Sequence, residues 1–287
     1  MLDNSINIRD LSLSDIPDAM DLVLTEGWNQ TIKDWQLLIN NPQNVCLAAE
    51  IKGKLVGTAT AINYNNEVAW IGMVLVNSEY RGRGIAKILL SGLFDQLKSC
   101  KSVKLDATPA GQPVYKKLGF EDEYLINRMV NLSLTGLPKT TSEIVPQKIR
   151  KEDIPSIIEF DKIAFGADRS QLIKSFITDY PEKSLMLRRN NQIVGFALGR
   201  QGNKYHQIGP VSAQSSIGAQ LLITKALKDL QGHSVVIDIL GDKQVLTEWL
   251  SSVGFVKQRD FMRMFKVNNP FPGEASLQYS ISGPEFG

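Results

Sequence analysis

Five segments of this 287-residue chain occur twice, in the same order. Ile8-Arg9 followed by Asp15-Ile16-Pro17 returns as Ile149-Arg150 followed by Asp153-Ile154-Pro155. Leu55-Val56-Gly57 returns as Ile193-Val194-Gly195, Ile71-Gly72 as Ile208-Gly209, Leu118-Gly119-Phe120 as Val253-Gly254-Phe255, and Arg128-Met129 as Arg263-Met264. The offset shortens from 141 residues at Ile8/Ile149 to 135 at Arg128/Arg263, as short loop deletions would produce. A period this long is a whole domain, not a solenoid unit. The chain therefore reads as two copies of one fold, residues 1–134 and 147–287. The segment from Asn131 to Gln147, with its centre at 135–146, holds Gly136, Pro138 and Pro146 without helical periodicity, which fits a linker or a crossing strand.

With 43% hydrophobic and 22% charged residues, both halves can bury a core, which excludes a disordered, collagen-like or coiled-coil chain. The net charge of +2 provides no overall field for nucleic acid or an anionic membrane. Cys46 and Cys100 stand apart from each other and from His206 and His233, so they read as buried free thiols, with neither a disulfide framework nor a metal site. Met1-Leu2-Asp3-Asn4-Ser5 lacks the basic start and apolar run of a signal peptide, and nothing approaches about 18 consecutive apolar residues, so the expected location is cytoplasmic. His206 and His233 read as isolated surface or capping residues. Lys98, Lys101 and Lys104 read as charges complementing a helix C-terminus. The tail from Asn268 has the prolines and glycines of a flexible terminus and the aromatic residues of a packed one, so both readings stay open.

Within the first copy, Asp15-Ile16-Pro17 starts a helix with Met20, Val23 and Leu24 at helical spacing, and Gly27 stops it. A second helical stretch lies around Trp35 to Ile39. Three strand-like runs follow, Val45 to Ile51, Leu55 to Ile62 and Val68 to Val76, with turns at Gly53 and Asn65-Asn66. Ile85, Ile88, Leu89, Leu93 and Leu97 mark an amphipathic helix, and a last pair of strands brackets Tyr115 to Leu118.

Val74 to Ala86 is the stretch that carries chemistry: a strand, a turn, then a helix start. The first N–H groups of a helix lack partners and sit at the positive end of its dipole, and Gly82 and Gly84 let a ligand approach that backbone. Arg81, Arg83 and Lys87 add positive charge. The arrangement suits a diphosphate, against the plainer reading of a solvated basic turn. Neither a Walker loop nor a dinucleotide fingerprint fits, because the required third glycine falls on Lys87 and no Ser or Thr follows a Gly-Lys pair. The spacing that remains is Arg-x-x-Gly-x-Ala, at Arg81, Gly84 and Ala86.

With that loop, and with Tyr115-Lys116-Lys117-Leu118-Gly119-Phe120 downstream, the chain resembles the GNAT superfamily of acyl-CoA-dependent N-acyltransferases. The family's diphosphate loop reads [RQ]-x-x-G-x-[GA] after the fourth strand, and its late segment reads Tyr-x-x-Leu-Gly-Phe. The resemblance covers nearly the whole chain, closely in the first half and loosely in the second, and is that of a bacterial tandem protein. It implies an α/β fold in which each domain is a mostly antiparallel mixed sheet flanked by helices. It also implies acetyl-CoA as co-substrate and transfer of acetyl by direct attack of a primary amine on a small-molecule or amino-acid-like acceptor. By the same resemblance the backbone of Val74, Leu75 and Val76 would hold the pantetheine arm where the fourth strand splays from the fifth. Arg81, Gly82, Arg83, Gly84, Ile85 and Ala86 would hold the diphosphate, and Tyr115 would face the sulfur as proton donor. Where members commonly carry an Asn ahead of that tyrosine, this chain has Thr108.

Acyl transfer needs a neutral amine, and an alkylamine has a pKa of about 10.4 in water, so a proton must also leave the acceptor. No histidine lies in the first copy, which leaves carboxylates and water. Glu26, Trp28 and Asn29, between the first two helices, and Asp106, at a strand end, are the candidate acceptor contacts. A helix C-cap with a packed tryptophan is the alternative for the first group, and a core aromatic the alternative for Tyr115. Glu67 reads as a solvated charge. In the second copy the stretch Pro210 to Ala219 lacks the loop spacing and Thr247 to Leu250 replaces the tyrosine, so no second active centre is expected and this degenerate domain would shape the acceptor site. The expected partner is a small-molecule amine, with no nucleic acid and no membrane; monomer and homodimer both remain open. A non-catalytic acyl-CoA-binding sensor or partner module is the alternative to an enzyme.

Overall fold

The computed structural model describes residues 5–137 and 144–287. Met1 to Asn4 and the centre of the expected linker, with Pro138, lie outside the described residues. The first half runs β1 (Asn7–Asp10), α1 (Ile16–Thr25), α2 (Ile32–Ile39), β2 (Val45–Ile51), β3 (Lys54–Tyr64), β4 (Val68–Val76), α3 (Ile85–Gln96), β5 (Ser102–Ala107), α4 (Gln112–Lys117) and β6 (Glu121–Asn131). The second half repeats that order as β7 (Gln147–Lys148), α5 (Ile154–Phe165), α6 (Ser170–Asp179), β8 (Leu185–Arg189), β9 (Gln192–Gln201), β10 (His206–Ala213), α7 (Ser216–Leu227), β11 (Val235–Leu240), α8 (Gln244–Ser252) and β12 (Val256–Lys266). It then adds β13 (Gln278–Ser280).

The sequence repeat is a repeat of local physics. Asp15 accepts a hydrogen bond from the Ser12 backbone N–H at 2.8 Å and is gripped by Arg9. Asp153 accepts from the Arg150 N–H at 2.9 Å and is paired with Arg188. In both halves this aspartate closes a single turn that leads into α1 or α5, each with Pro in its first turn, where a missing N–H leaves nothing unbonded.

Among the described residues thirteen strands form one sheet in the order β1-β2-β3-β4-β5-β12-β6-β11-β13-β10-β9-β8-β7. It is antiparallel except for β4–β5 and β10–β11, which are parallel because α3 and α7 cross over between them. The two halves exchange their last strands: β12 lies against β5 of the first half, and β6 against β11 of the second. Met264 thereby enters the first-half core with Leu89, Leu93 and Phe120, and Met129 enters the second-half core with Leu222 and Ile237. A third core, shared by the halves, packs Trp35, Trp70, Phe165, Phe176, Phe196 and Phe286.

Three expectations are corrected. Leu24 and Ile88 are 54% and 41% exposed, while Leu22 and Leu90 are buried in their place; neighbouring helix positions differ by 100°, so apolar residues at the edge of a stripe fall towards solvent. Lys104 is not at a helix end but buried on β5, where its ammonium meets Glu123 at 3.4 Å and the Phe271 carbonyl at 3.1 Å. His206 and His233 are not isolated: their rings lie 5.0 Å apart, and His206 Nδ1 shares a 2.8 Å hydrogen bond with the Tyr180 hydroxyl. Of the two readings left open for the tail, it takes the packed one, with Phe286 fully buried. Both cysteines are free and buried. No helix among the described residues is long and apolar enough to cross a membrane.

Candidate active site

β4 is paired with β5 only from Val68 to Ile71. Beyond that point it bulges: Met73 adopts φ +51°, and the hydroxyls of Thr58 and Thr60 on β3 donate to the Met73 and Gly72 carbonyls at 2.8 and 3.1 Å. The bulge is held from the β3 side, so β4 turns away from β5 and leaves the edge from Gly72 to Val76 without a strand partner. Val74, Leu75 and Val76 line a groove along this edge, and Tyr80 to Gly82 and Gly84 to Lys87 continue it.

Gly82 and Gly84 have φ values of +76° and +78°, a conformation that side chains disfavour, and Gly84 opens the twelve-residue α3 with no side-chain cap. Nothing lies within 4 Å of where a Cβ would project at either glycine, so the backbone is open to a ligand. Around it, Arg83 stacks over the Tyr80 ring at 5.0 Å, and Arg81 donates to the Val76 carbonyl at 3.1 Å while pairing with Glu26. The uncapped N–H groups and the local cations fit a diphosphate. Glu26 thus touches the loop and not the deeper chamber.

The groove opens, at Trp28, Val74, Ala86 and Val114, into a cavity of about 250 Å³. Tyr115 on α4 stands in its wall, edge-on to Phe120 at 5.7 Å, and burial pushes its hydroxyl up to about 12. Thr108 is also in the wall and accepts from the Gly111 N–H at 3.2 Å. Ile71, Leu90, Leu105 and Phe261 make much of the remainder apolar.

Trp28, Asn29 and Asp106 border this cavity, but two of them have their polar atoms engaged. The Asn29 side chain clamps the second half, accepting from the N–H groups of Lys204 and Tyr205, both at 2.9 Å. The Asp106 carboxylate is fully buried and held by Arg263 of β12 at 2.9 and 3.0 Å; burial pushes its pKa up against the opposing pull of that guanidinium. Arg128 of β6 grips Asp238 of β11 in the same way, at 2.7 Å for each bond. The repeated Arg-Met pair therefore marks strand exchange: each arginine crosses to an aspartate of the other half.

The chamber also contains residues that belong to no sequence motif. Gln30, Arg128, Arg259, Phe261, Pro284 and Glu285 all line it. Arg128 was visible as a repeated residue, whereas Glu285 carried no signal, since only tertiary packing brings the tail here. That tail crosses both halves at the repeated Ile-Gly pair. A Cβ on Gly209 would fall 2.0 Å from the Ile281 carbonyl, and one on Gly72 would fall 2.8 Å from the Glu285 Cα. Tyr64 and Trp70 donate to the Phe286 and Pro284 carbonyls at 2.9 Å.

In the second half β10 and β11 part after His206-Gln207, as β4 and β5 do after Ile71. Here the fork is filled: β13 pairs with β10 at Val211 and Ser212 and with β11 at Ile239. The edge that would receive a pantetheine arm is already hydrogen-bonded to the chain's own tail, and the loop before α7 is capped by the Ser215 hydroxyl, which accepts from Gly218 N–H at 3.2 Å.

A glycine-bearing helix start ringed by cations thus leads along an open strand edge into a chamber. Residues 12–120 match the acetyltransferase (GNAT) family and residues 157–280 an acetyltransferase (GNAT) domain, so the chain belongs to the GNAT superfamily as a tandem acyltransferase. Among curated proteins it is similar to the holothin acyltransferase of Pseudoalteromonas sp. (strain SANK 73390), 24% identical over 96% of this chain and 92% of that one. It is also similar to the uncharacterized N-acetyltransferase YitH of Bacillus subtilis (strain 168), 28% identical over 65% of this chain and 66% of that one. The fold is shared with a putative acetyltransferase from Pyrococcus horikoshii, with a TM-score of 0.81, 24% identity and coverage of 100% and 98% of the two chains. It is shared too with a tandem GNAT protein from the clavulanic acid biosynthesis pathway, with a TM-score of 0.64, 12% identity and coverage of 91% and 98%.

Proposed function

We propose that the chain is an acetyl-CoA-dependent N-acetyltransferase acting on a primary amine of a small molecule or amino-acid-like acceptor. The observation that carries this reading is the continuity of the Gly82/Gly84 groove with the chamber faced by Tyr115. Bound acetyl-CoA supplies a thioester-activated acyl carbon. The backbone N–H groups opening α3, with Arg81, Arg83 and Lys87, hold its diphosphate, and the free edge of β4 aligns the pantetheine arm. A backbone N–H on that edge stabilises charge on the acyl oxygen. The acceptor enters the chamber and loses a proton, to water or a wall carboxylate, before its nitrogen bonds to the acyl carbon. As the C–S bond breaks, Tyr115 gives its hydroxyl proton to sulfur and regains one from the acylated nitrogen. Its raised pKa keeps the hydroxyl protonated and able to donate.

The test is acetyl-CoA-dependent release of free thiol across a panel of amines, amino acids, polyamines and peptides, with calorimetric binding of acetyl-CoA. Tyr115→Phe should lower kcat by roughly a hundred- to ten-thousandfold, the scale of general acid catalysis, and leave acetyl-CoA affinity intact. Unchanged turnover in that variant defeats the proton-donor assignment. Tight binding without turnover across the whole panel moves the reading to an acyl-CoA sensor.

A further inference from the structure

Buried polar atoms without partners are rare in folded proteins, because each forfeits its hydration. Among the described residues nine such side-chain atoms occur, and three belong to residues lining the one chamber: Gln30 Oε1, Arg259 Nε and Glu285 Oε2. They come from three separate parts of the chain, the α1–α2 connection, the exchanged strand β12 and the tail. Two are acceptors, and one belongs to a cation.

The charges around the chamber add to this. Arg128 is neutralised by Asp238 and Arg263 by Asp106. Arg200 is shared by Asp34 and Glu285, so these three buried groups, if ionised, carry one surplus negative charge. Arg259 has no carboxylate within ion-pair distance among the described residues, and it lies over the Phe261 ring at 5.4 Å, half-buried in the chamber wall. With those groups ionised, the wall is short of one cation on the Glu285 side, and it is short of one anion on the Arg259 side, with apolar surface at Leu90, Leu105 and Phe261.

On the reading that this chamber receives the acceptor amine, we infer that the acceptor is a zwitterion with an apolar body. Its ammonium is taken by Glu285 and Gln30, and its carboxylate, a few atoms away, by Arg259. The tail that blocks the cofactor fork of the second half thereby also contributes an acceptor-binding residue to the first.

The probes are L-phenylalanine and L-leucine, their amides, and the desamino acid 3-phenylpropionate, titrated calorimetrically into the full-length protein saturated with CoA and assayed for thiol release with acetyl-CoA. The zwitterions should bind at least about tenfold more tightly than either the amides or the desamino acid. Arg259→Gln should abolish the preference for acid over amide while leaving amide binding unchanged, and Arg259→Lys should restore part of it. Glu285→Gln, which preserves shape and can still accept from Arg200, should weaken zwitterion and amide alike and leave acetyl-CoA affinity intact. Equal binding of acid and amide by the wild type overturns the inference, as does an Arg259→Gln variant that loses both equally. Zwitterion binding with no thiol release from these probes or from the wider amine panel would leave the subsite standing and sink the transferase reading, so the two fail separately.

Discussion

Removing the Asp238 carboxylate should destabilise the whole molecule. Asp238 is fully buried, accepts both bonds of the Arg128 fork at 2.7 Å and receives a third from Gln207 Nε2 at 3.0 Å. In Asp238→Ala the guanidinium keeps its charge and loses its counterion in a site where Arg128 is only 8% exposed. Breaking a buried pair from one side costs about 3–5 kcal/mol, and the stranded Gln207 amide adds about 1 kcal/mol. Taking the low end of that sum, about 4 kcal/mol, the unfolding equilibrium should shift by nearly three powers of ten or more at about 1.4 kcal/mol per decade. Because β6 and β11 come from different halves, one cooperative transition should move as a unit. Urea titration followed by circular dichroism and tryptophan fluorescence measures this. Replacing both partners with apolar residues, Arg128→Met with Asp238→Leu, should recover most of the loss, since the charge that suffers is then gone. A single-variant loss below about 1 kcal/mol, or a double variant as unstable as the sum of the singles, would refute the argument that this pair locks the exchanged strands together.

Three further outcomes follow from the geometry. Gly84→Glu places a carboxylate where the diphosphate is to sit, on a backbone with φ +78°; acetyl-CoA affinity should fall at least a hundredfold by calorimetry, with a stability loss of roughly 1–2 kcal/mol from the left-handed conformation. Because β13 fills the second fork, acetyl-CoA should bind the intact chain with a stoichiometry of one, and a measured value of two would contradict the blocked-fork argument. Burial lowers Lys104 from its ordinary 10.5 to about 8, so between those pH values the unfolded chain binds the additional proton and stability should rise with pH. Lys104→Met should flatten that rise in urea titrations at pH 8 and 10, and an identical slope in both proteins would count against the assignment.

Much of the candidate cofactor side was legible before any fold was known, because its pattern is local. A strand, two glycines at left-handed turns and an uncapped helix start are contiguous in sequence, and Arg81, Gly84 and Ala86 carry their spacing openly. Tyr115 follows within one further element. The acceptor side was legible only in part. Trp28 borders the chamber, but Glu26 is drawn to Arg81, Asn29 to the Lys204-Tyr205 backbone and Asp106 to Arg263. Each is a polar residue near the site whose best partner arrives from a distant segment, and periodicity contains no information about that partner. The same limit explains Lys104 and the His206/His233 pair.

Two domains of one fold, their mixed α and β content and the failure of the second loop are consequences of residue order alone, since repeats, periods and turns are local patterns. Which strand lies beside β5 is a different kind of question. The backbone ladder is nearly blind to side chains, and β6 and β12 are alike enough, down to Arg128-Met129 and Arg263-Met264, for either to complete either half. The choice rests on long-range matching: each arginine reaches an aspartate, and each methionine enters a core, belonging to the opposite copy. The tail has the same character, because its route past Gly209 and Gly72 exists only once two forks and a shared core have formed around it.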